Sequence, residues 1–139
     1  MSDFQGWNQK IVDEFRSNEG RVGGPFEGAP MIIIHTKGRT SGKEYENPLV
    51  YQAVGDNFVI IASKGGAPTH PDWYRNLMAN PEIEVEVGTE RYKVRARELE
   101  GDEREKVWTK QKELMPGFAD YEQKTRGIRE IPVVLLERV

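Results

Sequence analysis

With 139 residues, of which 37% are apolar, the chain is long enough to bury roughly two-thirds of the surface its unfolded form exposes, so a core without covalent staples is expected. It has no cysteine, which excludes disulfides, thiolate metal sites and thiol nucleophiles and leaves any redox chemistry to a bound cofactor. The net charge of -3 argues against general attraction to nucleic acid, and with no signal-like start and no apolar run long enough to span a bilayer, a cytoplasmic protein is expected.

Phe4, Trp7, Ile11, Val12 and Phe15 recur at helical spacing and predict an amphipathic helix over about 3–18 that docks its stripe on the domain. A weak peripheral membrane contact through that stripe is the alternative, opposed by the acidic residues Asp3, Asp13, Glu14 and Glu19. Residues 20–30 read as a connecting loop, with glycines at 20, 23, 24 and 28 and prolines at 25 and 30. Strands are expected over 31–36, 48–54 and 58–63, rich in β-branched and aromatic residues, the last two joined by a turn at Gly55-Asp-Asn57. A short helix over 71–79 opens on Pro71 at its first position, with His70 as its cap, and ends before Asn80-Pro81. Segments 83–87 and 92–97 alternate apolar with charged residues and form an antiparallel pair whose wet face carries Glu82, Glu84 and Glu86. Asp102 starts a longer helix with Val107, Trp108, Gln111, Leu114 and Met115 on its apolar face. A helical turn or two follows Pro116-Gly117 through Tyr121, and 131–136 is the last strand, with Pro132 at a sheet edge or strand start. Six strands with short turns and only peripheral helices predict one α+β domain over 1–139, built on a small six-stranded antiparallel barrel.

Two segments carry chemistry. Residues 35–43, His-Thr-Lys-Gly-Arg-Thr-Ser-Gly-Lys, hold the cations Lys37, Arg39 and Lys43 and no carboxylate. Gly38 and Gly42 free the backbone amides, and Thr36, Thr40 and Ser41 add hydroxyls, the ingredients of a phosphate cradle. The competing reading is a solvated hairpin loop. A nucleotide P-loop is excluded: the glycine spacing is one residue short, Glu44 stands where the metal-binding hydroxyl belongs, and a strand follows. The second segment, residues 62–76, leaves a strand, crosses Gly65-Gly66 and enters a helix, so a flat ring can lie on its backbone while Ser63 bonds a heterocycle edge and Lys64 adds charge. Trp73 is either part of that site or a core anchor. His35 and His70 lack the neighbours of a metal site, and no metal is assigned.

In this order and spacing the two segments resemble the signature of the deazaflavin (F420)-dependent nitroreductase and quinone reductase family. Thr36 to Lys43 matches Thr-x-Gly-Arg-x-Ser-Gly-Lys, and Ala62 to Asn76 matches Ala-Ser-x-Gly-Gly-Ala-Pro-x-His-Pro-x-Trp-Tyr-x-Asn. Agreement continues through Asn80-Pro81 to Arg129-Glu-Ile-Pro132. The resemblance implies a split β-barrel of the FMN-binding type that holds coenzyme F420 and passes hydride from it to a quinone, nitroaromatic or conjugated unsaturated acceptor. It places Lys37, Arg39, Ser41 and Lys43 at the phosphate and glutamyl tail, with Lys64 reinforcing them. Ala62, Ser63, Gly65 and Gly66, with Pro48, Leu49 and Val50, would face the ring, and Trp73 and Asn76 complete the cofactor set. Phe118 and Tyr121 would line the acceptor pocket, Phe118 where some relatives carry a hydroxyl, unless both rings only cover the core. Ser63 and Tyr121 are the catalytic candidates, Tyr121 by bonding the acceptor or relaying a proton. FMN on the same barrel, a non-catalytic F420 carrier and a homodimer are the further expectations.

Overall fold

The computed structural model describes residues 3–24 and 28–139, with side chains from residue 8 onward; the contributions expected of Phe4, Trp7 and Pro25 lie outside the described set. The fold is α+β. Among the described residues seven strands, β1 (Met31–Lys37), β2 (Glu44–Val50), β3 (Gln52–Val54), β4 (Asn57–Ile61), β5 (Glu82–Val87), β6 (Glu90–Glu98) and β7 (Val133–Arg138), form one antiparallel sheet ordered β2-β1-β5-β6-β7-β4-β3. The strand expected over 48–54 is thus two: β2 pairs with β1, then the chain turns at Tyr51 and β3 pairs with β4. Because these edge strands are separated by Tyr51 alone, the sheet has to curl until its two edges meet at that residue.

Side-chain alternation then sorts the core. Ile32, Ile34, Phe58, Ile60, Val85, Val94, Val134 and Leu136 come from five strands into a single cluster, so they occupy the inside of the curl. The intervening residues face outward. Helix α1 (Asp3–Ser17) covers β1 and β2, laying Ile11, Val12 and Phe15 on Met31, Ile33 and Val50. Each of those three side chains is nearly fully buried, worth about 1.5–3 kcal/mol apiece against exposure. This uses the described part of the stripe, which is therefore not available to a membrane surface. Among the described residues no helix is long and apolar enough to cross a bilayer.

On the other flank α3 (Gly101–Leu114) and α4 (Gly117–Thr125) pack Val107, Trp108, Phe118 and Tyr121 on Val59, Val133 and Leu135. Leu114, expected on the apolar face, is exposed at the last residue of α3. Buried Gln52 fixes the helix to the sheet, its Nε2 donating to the Val107 carbonyl (3.2 Å) and to Gln111 Oε1 (3.0 Å). Helix α2 (Asp72–Ala79) closes one end of the interior with Leu77, Trp73 and Tyr74. Pro71 caps α2 from extended backbone rather than occupying its first turn, and His70, expected as the cap, instead turns its Nδ1 to Arg129.

Candidate functional site

The six residues between β1 and β2 fold back on themselves. The Gly38 amide donates to the Lys43 carbonyl (2.7 Å), the Gly42 amide to the Gly38 carbonyl (3.0 Å), and the Lys43 amide to Ser41 Oγ (3.2 Å). A Cβ at Gly38 would stand 2.5 Å from Ser41 Oγ, and Gly42 sits at φ +72°, so the closure needs glycine at both places. Accepting from Lys43 leaves the Ser41 hydroxyl proton free to donate outward.

Arg39 is held from below. Its amide (3.2 Å) and its Nη1 (2.8 Å) both donate to Oδ1 of buried Asn76 on α2, and its Nη2 lies 3.6 Å from Asp72 Oδ1. Lys43 Nζ stands 5.7 Å from the Tyr45 ring centroid. Neither Lys37 nor Lys43 forms an ion pair with any described residue. The loop, α2, β2 and the start of α1 enclose an open cavity of about 600 Å³, lined by Arg39, Lys43, Tyr45, Asn47, Trp73 and Asn76 together with Asn8, Gln9 and the acids Glu44, Glu46 and Asp72.

The second segment is organised by Arg129. Its Nε donates to the Ala67 carbonyl (3.0 Å), its Nη2 to Ser63 (2.8 Å), and its Nη1 to Ala62 (3.1 Å) and to His70 Nδ1 (3.0 Å). Because a guanidinium only donates, His70 accepts at Nδ1 and carries its proton on Nε2. Burial, then the positive charges of Arg129 and Arg75, hold His70 below the ordinary histidine range. Between these anchors Lys64–Gly66 forms a 3₁₀ turn that packs against α4, where a Cβ at Gly66 would meet Lys124 Cδ at 2.8 Å and Tyr121 Cα at 3.3 Å. Tyr121 stacks edge-on against Phe118 (centroids 5.1 Å apart), which meets Trp108 in the same way (6.2 Å).

A third group ties α1 to the sheet. Arg16 bonds both Glu46 and Glu86 (Nη2 to Glu86 Oε2 2.8 Å), and His35 Nε2 lies 2.7 Å from Glu86 Oε2. Glu86, expected on the wet face, is half-buried, and the Arg16 guanidinium holds its carboxyl down at about 2 against burial, with His35 assisting. His35, Glu46 and Glu86 are spaced closely enough to bind a cation, and the guanidinium already supplies that charge.

A family model described as F420H(2)-dependent quinone reductase matches residues 7–138. The chain belongs to that family. Membership makes it an oxidoreductase that works with reduced F420. An F420H(2)-dependent quinone reductase of Mycobacterium tuberculosis is 36% identical over 128 residues, which is 89% of this chain and 85% of the relative. Among solved structures, an F420-H2-dependent reductase, FDR-A, is 41% identical with TM-score 0.70 over 78% of this chain and 94% of its own. A structure described as a domain-swapped dimer is 34% identical with TM-score 0.73, covering 98% and 100%.

Of the residues expected to serve the F420H(2)-dependent quinone reductase site, the structure gathers Arg39, Ser41, Lys43, Trp73 and Asn76 around one cavity, whereas Lys37, expected with them, ends β1 and does not line it. Ala62, Ser63, Lys64, Gly66 and Tyr121 come together at the turn beneath α4; the surroundings of Gly65 lie outside the described residues. Gly66 meets the α4 backbone, so its missing side chain admits a helix. Lys64 is spent within its own turn, its Nζ donating to Thr69 Oγ1 (3.2 Å), and it does not line the cradle cavity. Pro48, Leu49 and Val50 do not share a face: Leu49 packs into the interior, whereas Val50 packs under α1. Sequence reasoning missed Asn8, Gln9, Glu44, Tyr45, Glu46, Asn47 and Asp72 at the cavity and Arg129 at the turn. Only Arg129 had a signal, as the arginine of the closing motif.

Proposed function

We propose that this reductase takes hydride from reduced F420 and delivers it to a quinone, with nitroaromatic and conjugated unsaturated compounds as further acceptors, within one split-barrel domain over residues 1–139. The observation that carries this reading is Arg39, oriented by buried Asn76, with Lys43, which has no ion pair among the described residues, on a 600 Å³ opening that Glu44, Glu46 and Asp72 also line, while Lys37 stands at the end of β1 outside that lining. Such a donor set fits the phosphate and carboxylate tail of F420, which brings several negative charges in one chain.

When bound, the deazaflavin supplies two-electron hydride chemistry with little radical or oxygen reactivity. The protein's part is to hold and orient. Lys37, Lys43 and the free edge of Arg39 bind the tail; the Ser41 hydroxyl donates to an oxygen of it. The backbone of Ala62 and Ser63 receives the flat ring, and Leu49 and Trp73 bound it on the interior side. Tyr121, carried by α4 against that turn, hydrogen-bonds the acceptor, and Phe118 supplies an apolar wall. A homodimer belongs to the same proposal, supported by the domain-swapped relative.

Titration of the protein with F420 tests this reading. Arg39→Ala is expected to weaken binding by about 1.5–3 kcal/mol, and Lys43→Ala by about 1 kcal/mol with a shallower salt dependence. Affinity unchanged in both variants removes the cradle. Tighter binding of FMN than of F420 transfers the site to FMN, and tight F420 binding without oxidation of the reduced form by menadione makes the protein a carrier.

A further inference from the structure

We propose that Arg129 is the positioning residue of the turn that carries Ser63: its guanidinium fans over three backbone acceptors of the turn and His70, fixes the turn in the shape that receives the coenzyme ring, and brings a positive charge with no described counter-ion to it. The inference rests on the ring lying at the Ser63 turn, the reading given above. Four contacts of 2.8–3.1 Å bind Arg129 to the carbonyls of Ala62, Ser63 and Ala67 and to His70 Nδ1, so a single side chain defines both ends of residues 62–67. Those carbonyls belong to the exit of β4 and to the start and end of a one-turn 3₁₀ helix, and that of Ser63 also accepts from the Gly66 amide (2.9 Å).

No described carboxylate pairs with Arg129. Its neighbour Glu130 lies 3.1 Å from Arg104 Nε instead. The acceptors of Arg129 are all neutral, and burial acts on it without an opposing acid. A lysine would keep the charge but could not reproduce a planar fan over four acceptors. A bound ring that takes up hydride gains electron density, and an adjacent cation favours that state over the oxidised one. Arg129 would therefore act on the coenzyme twice, by geometry through the carbonyls and by charge through space.

The two effects separate in Arg129→Lys and Arg129→Gln. In the coenzyme-free protein both variants are expected to speed amide exchange at Gly66 and Ala67, whose N–H groups donate within the turn (2.9 and 3.1 Å), while amides of β1 keep their rates. With coenzyme, the ratio of the dissociation constants for oxidised and reduced F420 is expected to fall by about tenfold in Arg129→Gln and to hold within about twofold in Arg129→Lys. A structural role alone would leave that ratio unchanged in both, and that result overturns the charge assignment. Unaltered exchange at Gly66 and Ala67 in both variants overturns the positioning role whatever the coenzyme does. Faster exchange with F420 affinity unchanged in both variants and in Ser63→Ala overturns the placement of the ring. Nitrogen NMR of His70 in the unaltered protein needs no variant: the Nε2–H tautomer is expected, and an Nδ1–H tautomer, which cannot accept from Arg129, refutes the fan.

Discussion

Gly66 is the position where the turn and the helix above it meet, and replacing it with alanine measures that contact. The residue sits at φ +84°, and a Cβ there would lie 2.8 Å from Lys124 Cδ, 3.2 Å from Lys124 Cβ and 3.3 Å from Tyr121 Cα. An L-residue with positive φ costs about 1–2 kcal/mol. Relief of the overlap requires α4 to withdraw by several tenths of an ångström, because one neighbour is backbone, and overpacking of this kind adds about 1–3 kcal/mol. The sum, about 3 kcal/mol, corresponds to a loss of roughly 10 °C in Tm for a domain of this size. Gly55 is the control: it sits at φ +60° with nothing within 4 Å of its hypothetical Cβ, so Gly55→Ala is expected to cost only the backbone strain, about 1–2 kcal/mol. Thermal unfolding of the two variants, followed by far-UV circular dichroism, isolates the α4 contact as their difference. Equal losses would refute the reasoning. Withdrawal of α4 also carries Tyr121 with it, so quinone kcat/KM in Gly66→Ala is expected to drop by at least about tenfold, as misplacement of a positioned group does.

The carboxyl of Glu86 is held at about 2 in the fold against 4.5 when free, so its contribution to stability is present above 4.5 and is lost as pH falls toward 2. Allowing for solvent screening, that contribution is on the order of 2 kcal/mol, and denaturant titrations should show Glu86→Gln less stable at neutral pH with a flatter decline below 4.5. Burial, helped by the bond to Glu98, raises the Tyr74 hydroxyl to about 12 from 10, so its contribution is present below 10 and is lost as pH rises through 12; phenolate absorbance in Glu98→Gln should titrate earlier than in the parent. Asn76→Ala removes the acceptor of two Arg39 donors and is expected to cost about 2 kcal/mol of stability, together with a larger loss of F420 affinity than Ser41→Ala, both read from melting and coenzyme titration.

The local pattern of residues was enough for the elements themselves: β1, the hairpin around Gly55-Asp-Asn57, the β5–β6 pair and the four helices fall close to where spacing and turn residues put them. The cationic loop over 37–43 was equally visible, because three cations, two glycines and no acid fall within a few residues. What spacing could not reveal was which distant group each residue meets. Glu86 reads as one more acid on an alternating strand until α1 lays Arg16 across it. His70 reads as a helix cap until Arg129, fifty-nine positions away, claims its Nδ1. The division of the 48–54 segment follows from closure of the sheet, which makes β2 and β3 opposite edges joined at Tyr51. Composition and periodicity act along the chain and specify helices, strands and a cationic loop. The partner of each polar side chain depends on how the sheet curls, so the arrangement of Arg39 on Asn76 and of Arg129 on the Ser63 turn belongs to the tertiary structure alone.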